Sequence, residues 1–199
     1  MIPNAFDISK EYLLEDEMVL LRPLTEADFQ FLEHFSIAEP EIWKFSLVQA
    51  SSPEKMRQYI QSAVAARQKN EYPFIVWDKR TNQYAGCTRF YDIQPDNKVL
   101  QLGYTWYGKE FQGTGLNKHC KFLLLSFAFE QIGMERVEFR ADNDNARSIR
   151  AMQGIGCTVE GVLRSNGFKP DGNRRDSIVL SILKEEWLSN VKAALKQKL

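Results

Sequence analysis

The stretch of this sequence with most chemical potential is Gln112-Gly113-Thr114-Gly115-Leu116-Asn117. Two glycines let the backbone turn tightly, and an apolar helical pattern follows at once. Successive N–H groups and the positive end of that helix would together make a pocket for an anion. Lys118, His119 and Lys121 add potential positive charge to the first turns. That is the wrong sign for a helix N-terminus unless something anionic docks there. The competing reading is a tight turn with solvated lysines. The spacing does not fit the dinucleotide pattern GxGxxG, because Lys118 stands where the third glycine belongs. It does not fit GxxxxGK either, so a nucleotide-binding reading is the weakest of the three. A second candidate pair is Asn145 and Ser148, three residues apart at a helix start and able to share a face. Asp142, Asn143, Asp144 and Asn145 could all cap that helix, and on residue type alone capping is the simpler account.

The elements that must position these groups follow from hydrophobic period and turn residues. Met18–Leu24 reads as a strand, and Thr25 caps a helix running to about Phe35. Residues 36–50 have no clean period. Ser51 and Glu54 have capping-box spacing, with Pro53 early in a helix that runs to about Lys69. Tyr72–Asp78, Tyr84–Asp92 and Lys98–Tyr107 read as three strands with short turns, which makes an antiparallel meander. Then come a helix (Leu116–Ile132), a strand (Glu135–Ala141), a helix (Asp144–Ile155), a strand (Cys157–Ser165), the turn Lys169–Asn173, a strand (Arg175–Leu183) and a helix from Lys184. Strand–helix–strand around residues 100–140 implies a parallel crossover. The expected fold class is therefore α/β with a mixed sheet: a peripheral arm over 1–17, one domain over 18–190 and the end of a C-terminal helix over 191–199.

Composition narrows the function classes. The chain has 199 residues, 26 Lys+Arg against 26 Asp+Glu, and a hydrophobic content of 44%. Zero net charge argues against a nucleic-acid partner. No apolar run approaches a membrane span, the most apolar being Leu123–Phe129, which is flanked by charge. Three cysteines without a CxxC pair, and no apolar signal core near the N-terminus, point to a cytoplasmic, reduced setting. The histidines His34 and His119 lack metal-ligand spacing, so no metal is expected.

The loop and its neighbourhood resemble a known family. A strand, Gln112-x-x-Gly115-x-Asn117 and a long helix are similar to the acyl-CoA loop of the GNAT superfamily of N-acetyltransferases, with Asn117 departing from the usual Gly or Ala. Gly86–Tyr91 (GCTRFY), Leu102–Trp106 (LGYTW), Arg136–Arg140 (RVEFR), Asn145–Ser148 (NARS), Glu160–Arg164 (EGVLR), Arg175–Ser177 (RDS) and Glu186–Trp187 (EW) resemble, in order, the branch of the ribosomal-protein N-terminal acetyltransferases.

The resemblance implies a sheet splayed at its centre, where the strand ending near Trp106 parts from the one carrying Glu135–Ala141. Acetyl-CoA, as co-substrate, would lie in that cleft. Its pyrophosphate would meet the N–H groups of Gln112, Gly113, Thr114, Gly115, Leu116 and Asn117, and its pantetheine the backbone of Tyr104, Thr105, Trp106 and Tyr107. Asn145 would contact the pantetheine, and Ser148 would be the proton donor to the departing thiolate, because Met152 stands where many members have a tyrosine. Relatives have a glutamate proposed as base where this chain has Gln94, with Asp92 nearby, so no base is assigned. Trp43, Phe45, Arg89, Tyr91 and Asn166–Phe168 should flank the acceptor, while Arg174-Arg175-Asp176 reads as a solvated or locally paired cluster. The implied activity is direct acetyl transfer to a primary amine, either a protein N-terminus or a small molecule. Relatives often dimerise, which makes a homodimer an expectation. The alternative is a CoA-binding sensor or interaction module without catalysis.

Overall fold

The computed structural model describes residues 6–199. Its eight strands form one sheet in the order β1-β2-β3-β4-β5-β6-β8-β7. The strands are β1 (Leu14–Glu15), β2 (Val19–Pro23), β3 (Tyr72–Asp78), β4 (Gln83–Gln94), β5 (Val99–Tyr107), β6 (Arg136–Asp142), β7 (Thr158–Phe168) and β8 (Arg174–Leu183). Every pairing is antiparallel except β5 with β6, as the crossover argument requires. The helices are α1 (Phe29–Ala38), α2 (Pro53–Ala66), α3 (Leu116–Ser126) and α4 (Ala146–Gly154). Three helical stretches close the chain from Lys184 to Lys196. No helix among the described residues is long and apolar enough to cross a membrane.

The strand alternation assigns the layers. In β4 Thr88 touches Lys121 of α3, whereas the adjacent Arg89 lies against Tyr59 of α2. α2 and α3 therefore cover opposite faces of the sheet. On the α2 face Trp43, Tyr59 and Trp106 pack together, the Trp106 ring N–H donating to the Tyr59 hydroxyl at 3.2 Å. On the α3 face Phe90 stacks on Phe127, and the C-terminal Trp187 seals Phe122 and Phe129.

Three local expectations are corrected. The N-terminal arm is not peripheral: Leu14–Glu15 adds a strand to the sheet edge, and the Tyr12 ring lies 4.8 Å from Phe127. Arg67 and the Tyr72 hydroxyl hold it by donating to the Ile8 and Lys10 carbonyls. Residues 1–5 of the arm lie outside the described residues. The cap of α2 is Ser52, whose hydroxyl accepts from the Lys55 N–H, because Pro53 occupies the first helical position and shifts the start by one residue. Residues Pro40–Phe45, aperiodic in sequence, form a 3₁₀ helix that buries Trp43.

Gly86 marks the tightest backbone approach in the meander. A Cβ there would lie 2.1 Å from the Trp106 carbonyl oxygen, against backbone that cannot yield without moving β5. Gly86→Ala is expected to cost about 3 kcal/mol of unfolding free energy in urea titration. A loss under about 0.5 kcal/mol, the range of an unremarkable surface change, would contradict that geometry.

Candidate active site

The central feature is a gap between two half-sheets. β5 pairs with β6 only through Val99–Arg136, Leu100–Val137 and Gln101–Glu138. Beyond Gln101 the strands part, while β6 stays paired to β8 along its whole length. β5 also carries a bulge: Cys87 faces Trp106 and Arg89 faces Gly103, so Tyr104 and Thr105 together face the single residue Thr88, whose hydroxyl lies 2.8 Å from that of Thr105. Tyr104 sits at φ +49°, rare for a non-glycine residue. The result is a strand edge with its amides turned into a cavity of about 990 Å³. Tyr104, Thr105, Trp106, Tyr107, Gln112, Gly113, Gly115, Asn117, Asn145 and Ser148 all line it. Thr114 and Leu116 do not: Thr114 is exposed with its hydroxyl donating to the Phe111 carbonyl, and Leu116 turns into the core.

The glycine loop stands at one end of the gap. Gly113 (φ +77°) and Gly115 (φ +94°) both need the left-handed region, and a Cβ on either would meet nothing within 4 Å. The glycines serve backbone conformation and leave open space over the loop. Among the described residues no acceptor meets the N–H groups of Gly113, Thr114, Gly115 and Asn117. The Gln112 N–H is used, donating to the Lys109 carbonyl, and the Leu116 N–H leans to the Thr114 hydroxyl at 3.4 Å. The Gln112 side chain donates to the Tyr107 carbonyl at 2.8 Å and accepts from Arg147 of α4, bridging the gap. Free N–H groups at a helix start, beside open space, are suited to a phosphate.

The expected cluster of positive charge at the head of α3 does not form. Lys118 is exposed, but His119 is buried with its Nδ1 2.7 Å from Asp16. Lys121 also turns inward and is only 5% exposed. Its ammonium donates to Thr105 at 2.8 Å and to Thr88 at 3.3 Å, and has no carboxylate partner among the described residues. Burial lowers its pKa to about 8, an effect moderated by the Cys120 and Cys157 thiols. Cys120 itself is fully buried with its pKa pushed up to about 12 by desolvation, which leaves it inert as a nucleophile.

α4 carries the second candidate pair. Asn145 is its N-cap, the Oδ1 accepting from the Ser148 N–H at 3.1 Å. Capping therefore uses one side of the Asn145 amide, and the Ser148 hydroxyl has no partner among the described residues. Both side chains line the cavity. Met152, one turn further on, lines it as well.

The α2 side of the gap holds Trp43, Phe45, Tyr59, Tyr91, Asn166 and Arg175. Arg89 is buried behind this wall, bound to Glu71 at 2.6 Å and stacked 4.3 Å from the Tyr104 ring. Phe168 is exposed and does not reach the cavity. Asp92 accepts from Gln101 at 2.9 Å and Gln94 from Asn97 at 3.0 Å, so both are occupied within the β4–β5 ladder. The RRD cluster is divided by strand alternation: Arg174 and Asp176 face out, whereas Arg175 is buried in the gap without an acid partner. Sequence reading misses Arg175 and Lys121 in these positions. The period-two pattern of β8, with Arg175 and Ser177 on one face, and the apolar side of α3, which Lys121 shares with Leu125, are the available signals.

Comparison with known proteins agrees with this architecture. Residues 18–158 match the model of the acetyltransferase (GNAT) domain family. A solved structure from T. thermophilus, classed as an acetyltransferase, superposes with a TM-score of 0.85 at 34% identity, covering 96% of this chain and 98% of that one. YdaF of Bacillus subtilis (strain 168), whose name carries a ribosomal N-acetyltransferase assignment, is 31% identical over 102 residues, which is 51% of this chain and 55% of that protein. A ribosomal L7/L12 alpha-N-protein acetyltransferase solved with coenzyme A has a TM-score of 0.76 at 19% identity, covering 88% of this chain and 99% of that one, a likeness of fold alone.

The buried Lys121 has a measurable pH signature. Its folded pKa lies below the free value, so the folded state holds the proton less tightly than the unfolded state. The penalty is full below pH 8 and fades as pH rises toward 10.5. Relative to Lys121→Met, the wild-type chain should gain about 2 kcal/mol between pH 7 and pH 9.5. Urea unfolding of both proteins across that range checks it, and parallel curves would mean that Lys121 is not desolvated.

Proposed function

The chain belongs to the GNAT acetyltransferase family, and we propose that it transfers the acetyl group of acetyl-CoA to a primary amine by direct attack within a ternary complex. One observation carries the reading: the partnerless N–H groups of Gly113, Thr114, Gly115 and Asn117 adjoin the end of β5 that has no strand neighbour on its β6 side. A diphosphate joined to an amide-bearing arm has the chemistry to use both at once. Acetyl-CoA has that form, and its thioester supplies the activated acyl carbon. The resemblance to the ribosomal-protein branch favours a protein N-terminus among acceptors, with a small-molecule amine as the other class.

Each site residue then has a role. The open loop from Gln112 to Asn117 binds the diphosphate through backbone, Leu116 and Thr114 contributing conformation and main chain only. The edge from Tyr104 to Tyr107 aligns the amide-bearing arm, and the bulge at Tyr104 aims main-chain donors at the thioester carbonyl, where negative charge develops as the amine attacks. Asn145, its Oδ1 spent on the cap, presents its amide NH₂ to the same arm. As the C–N bond forms and the C–S bond breaks, the Ser148 hydroxyl gives its proton to the departing thiolate and takes one back from water. The proton on the attacking amine leaves to water, since Asp92 and Gln94 are held in the strand ladder.

Acetyl-CoA at about 100 times its Kd should add roughly 2.7 kcal/mol of stability, visible as a thermal shift that ATP and NAD do not give. Gly115→Val should abolish that shift, because a branched side chain at φ +94° is strained and fills the open space over the loop. CoA binding without turnover on an amine panel would favour the sensor reading over the enzyme.

Ser148→Ala separates chemistry from architecture. A proton donor acting in the transition state predicts a kcat about tenfold lower, at the weak end of acid catalysis because a thiolate leaves readily, with Kd for acetyl-CoA unchanged. An unchanged kcat would remove Ser148 from the chemistry.

A further inference from the structure

We infer that the acceptor amine carries a carboxylate and that Arg175 is the residue that reads it. This rests on the acetyltransferase assignment above and names the substrate class of the same site. Arg175 lies on β8, across the gap from the bulge, and its side chain is 5% exposed. Its Nε donates to the Ser177 hydroxyl at 3.2 Å and its Nη1 to the Phe45 carbonyl at 3.3 Å. Both partners are neutral. No carboxylate among the described residues reaches the guanidinium, and both Nη2 hydrogens have no partner. Arg175 lines the cavity.

No acid near Arg175 comes within ion-pair distance of it among the described residues. Of the acids on this side of the sheet, Glu71 is committed to Arg89 at 2.6 Å and Glu138 to Arg136 and Arg140, while Asp142, opposite Ser177 in the β6–β8 register, accepts from the Asp144 N–H and lies beyond ion-pair distance of Arg175. Asp176, next in sequence, points outward and accepts from the Ser165 N–H. Asp144 is paired with Lys169 at the rim. Tyr104 stacks on Arg89 and shares the cavity lining with Arg175; burial raises its pKa, and Arg89, with a smaller effect from Arg175, opposes the rise. Arg175 and the bulged residue Tyr104 thus line one cavity. A desolvated guanidinium with an open fork is costly unless an anion completes it, and a carboxylate fits that fork with two parallel hydrogen bonds. With the co-substrate's diphosphate assigned to the loop from Gln112 to Asn117, an anion meeting Arg175 would come from the acceptor. Two sources share the chemistry: a free amino acid, and a peptide whose first or second residue is Asp or Glu.

The experiment pairs acceptors that differ only in charge. CoA release from acetyl-CoA is followed with amino acids against their amides, and with Asp-Ala-amide and Glu-Ala-amide against Asn-Ala-amide and Gln-Ala-amide. Calorimetric titration of the CoA-loaded protein with the same compounds reads binding without turnover. The expected result is a preference of about 30-fold or more for the carboxylate member in at least one set, which identifies the source. Arg175→Gln should erase most of that preference through KM for the acceptor and leave Kd for acetyl-CoA unchanged, while Arg175→Lys retains part of it. Equal use of carboxylate and amide, or a preference that survives in Arg175→Gln, overturns the inference while leaving the acetyltransferase assignment intact. If Arg175→Gln does not fold, the ratio for the wild-type protein decides alone. Failure of acetyl-CoA to bind would instead overturn the assignment on which the inference rests.

Discussion

An unpaired strand edge inside a folded protein is the constraint around which this molecule is built. Backbone N–H and C=O groups withdrawn from water must find partners, and a sheet ordinarily supplies them. Here β5 abandons β6 after three residue pairs, and each half-sheet completes its other ladders without closing the gap. The bulge sets Tyr104 and Thr105 together against the single residue Thr88 of β4, increasing the local twist that drives the halves apart. The α2 face fills its side with Trp43, Tyr59 and Trp106, and the α3 face fills the other with Lys121, which spans from Thr105 to within 6.0 Å of the Phe139 ring. With both flanks packed, the gap cannot collapse. It is left for water or for a ligand with amides of its own.

Charge follows the same division. The chain as a whole is neutral, and most of its partly buried cations are matched: Arg22 with Asp28, Arg80 with Asp78, Arg136 with Glu138 and Glu160. Among the described residues the buried lysine and arginine side chains are Arg89, Lys121 and Arg175, and of these only Arg89 has an acid partner. The two without acids both border the gap. A nearby Asp or Glu could have neutralised either one internally. Their being left open, in a cavity also lined by free amides, concentrates positive potential where anionic ligands would dock.

Much of this is legible in the sequence. The three-strand meander, the crossover and the glycine loop follow from alternation and turn residues, and the structure places them within a few residues of the expected limits. The splay is legible only through resemblance to a family, because no local pattern in Val99–Tyr107 says which residues of β5 will lack a neighbour. That depends on β6, thirty-odd residues away, and on the bulge. Lys121 reads by type as a charge at the helix head, although its helical phase puts it beside apolar neighbours. Arg175 reads with Arg174 and Asp176 as one cluster, although a strand sends alternate residues to opposite faces. In each case residue type outweighs period in the reading, and the buried exceptions are where the candidate chemistry lies.

Asn145 and Ser148 show why capping and function need not compete for the same residues. A helix start requires an acceptor for its first N–H groups, and Asn145 Oδ1 meets that need through the Ser148 N–H. That bond fixes the Asn145 amide in one orientation, with its NH₂ directed away from the helix end. It also fixes the backbone of Ser148 while leaving the hydroxyl unengaged. The cap thus holds both groups still without consuming the atoms that would face a ligand. Rigid placement of this kind removes ordering entropy that binding would otherwise have to overcome. Residues that look like ordinary caps in the sequence can therefore be well suited to chemistry, provided the atom used for the cap is not the atom used for the substrate.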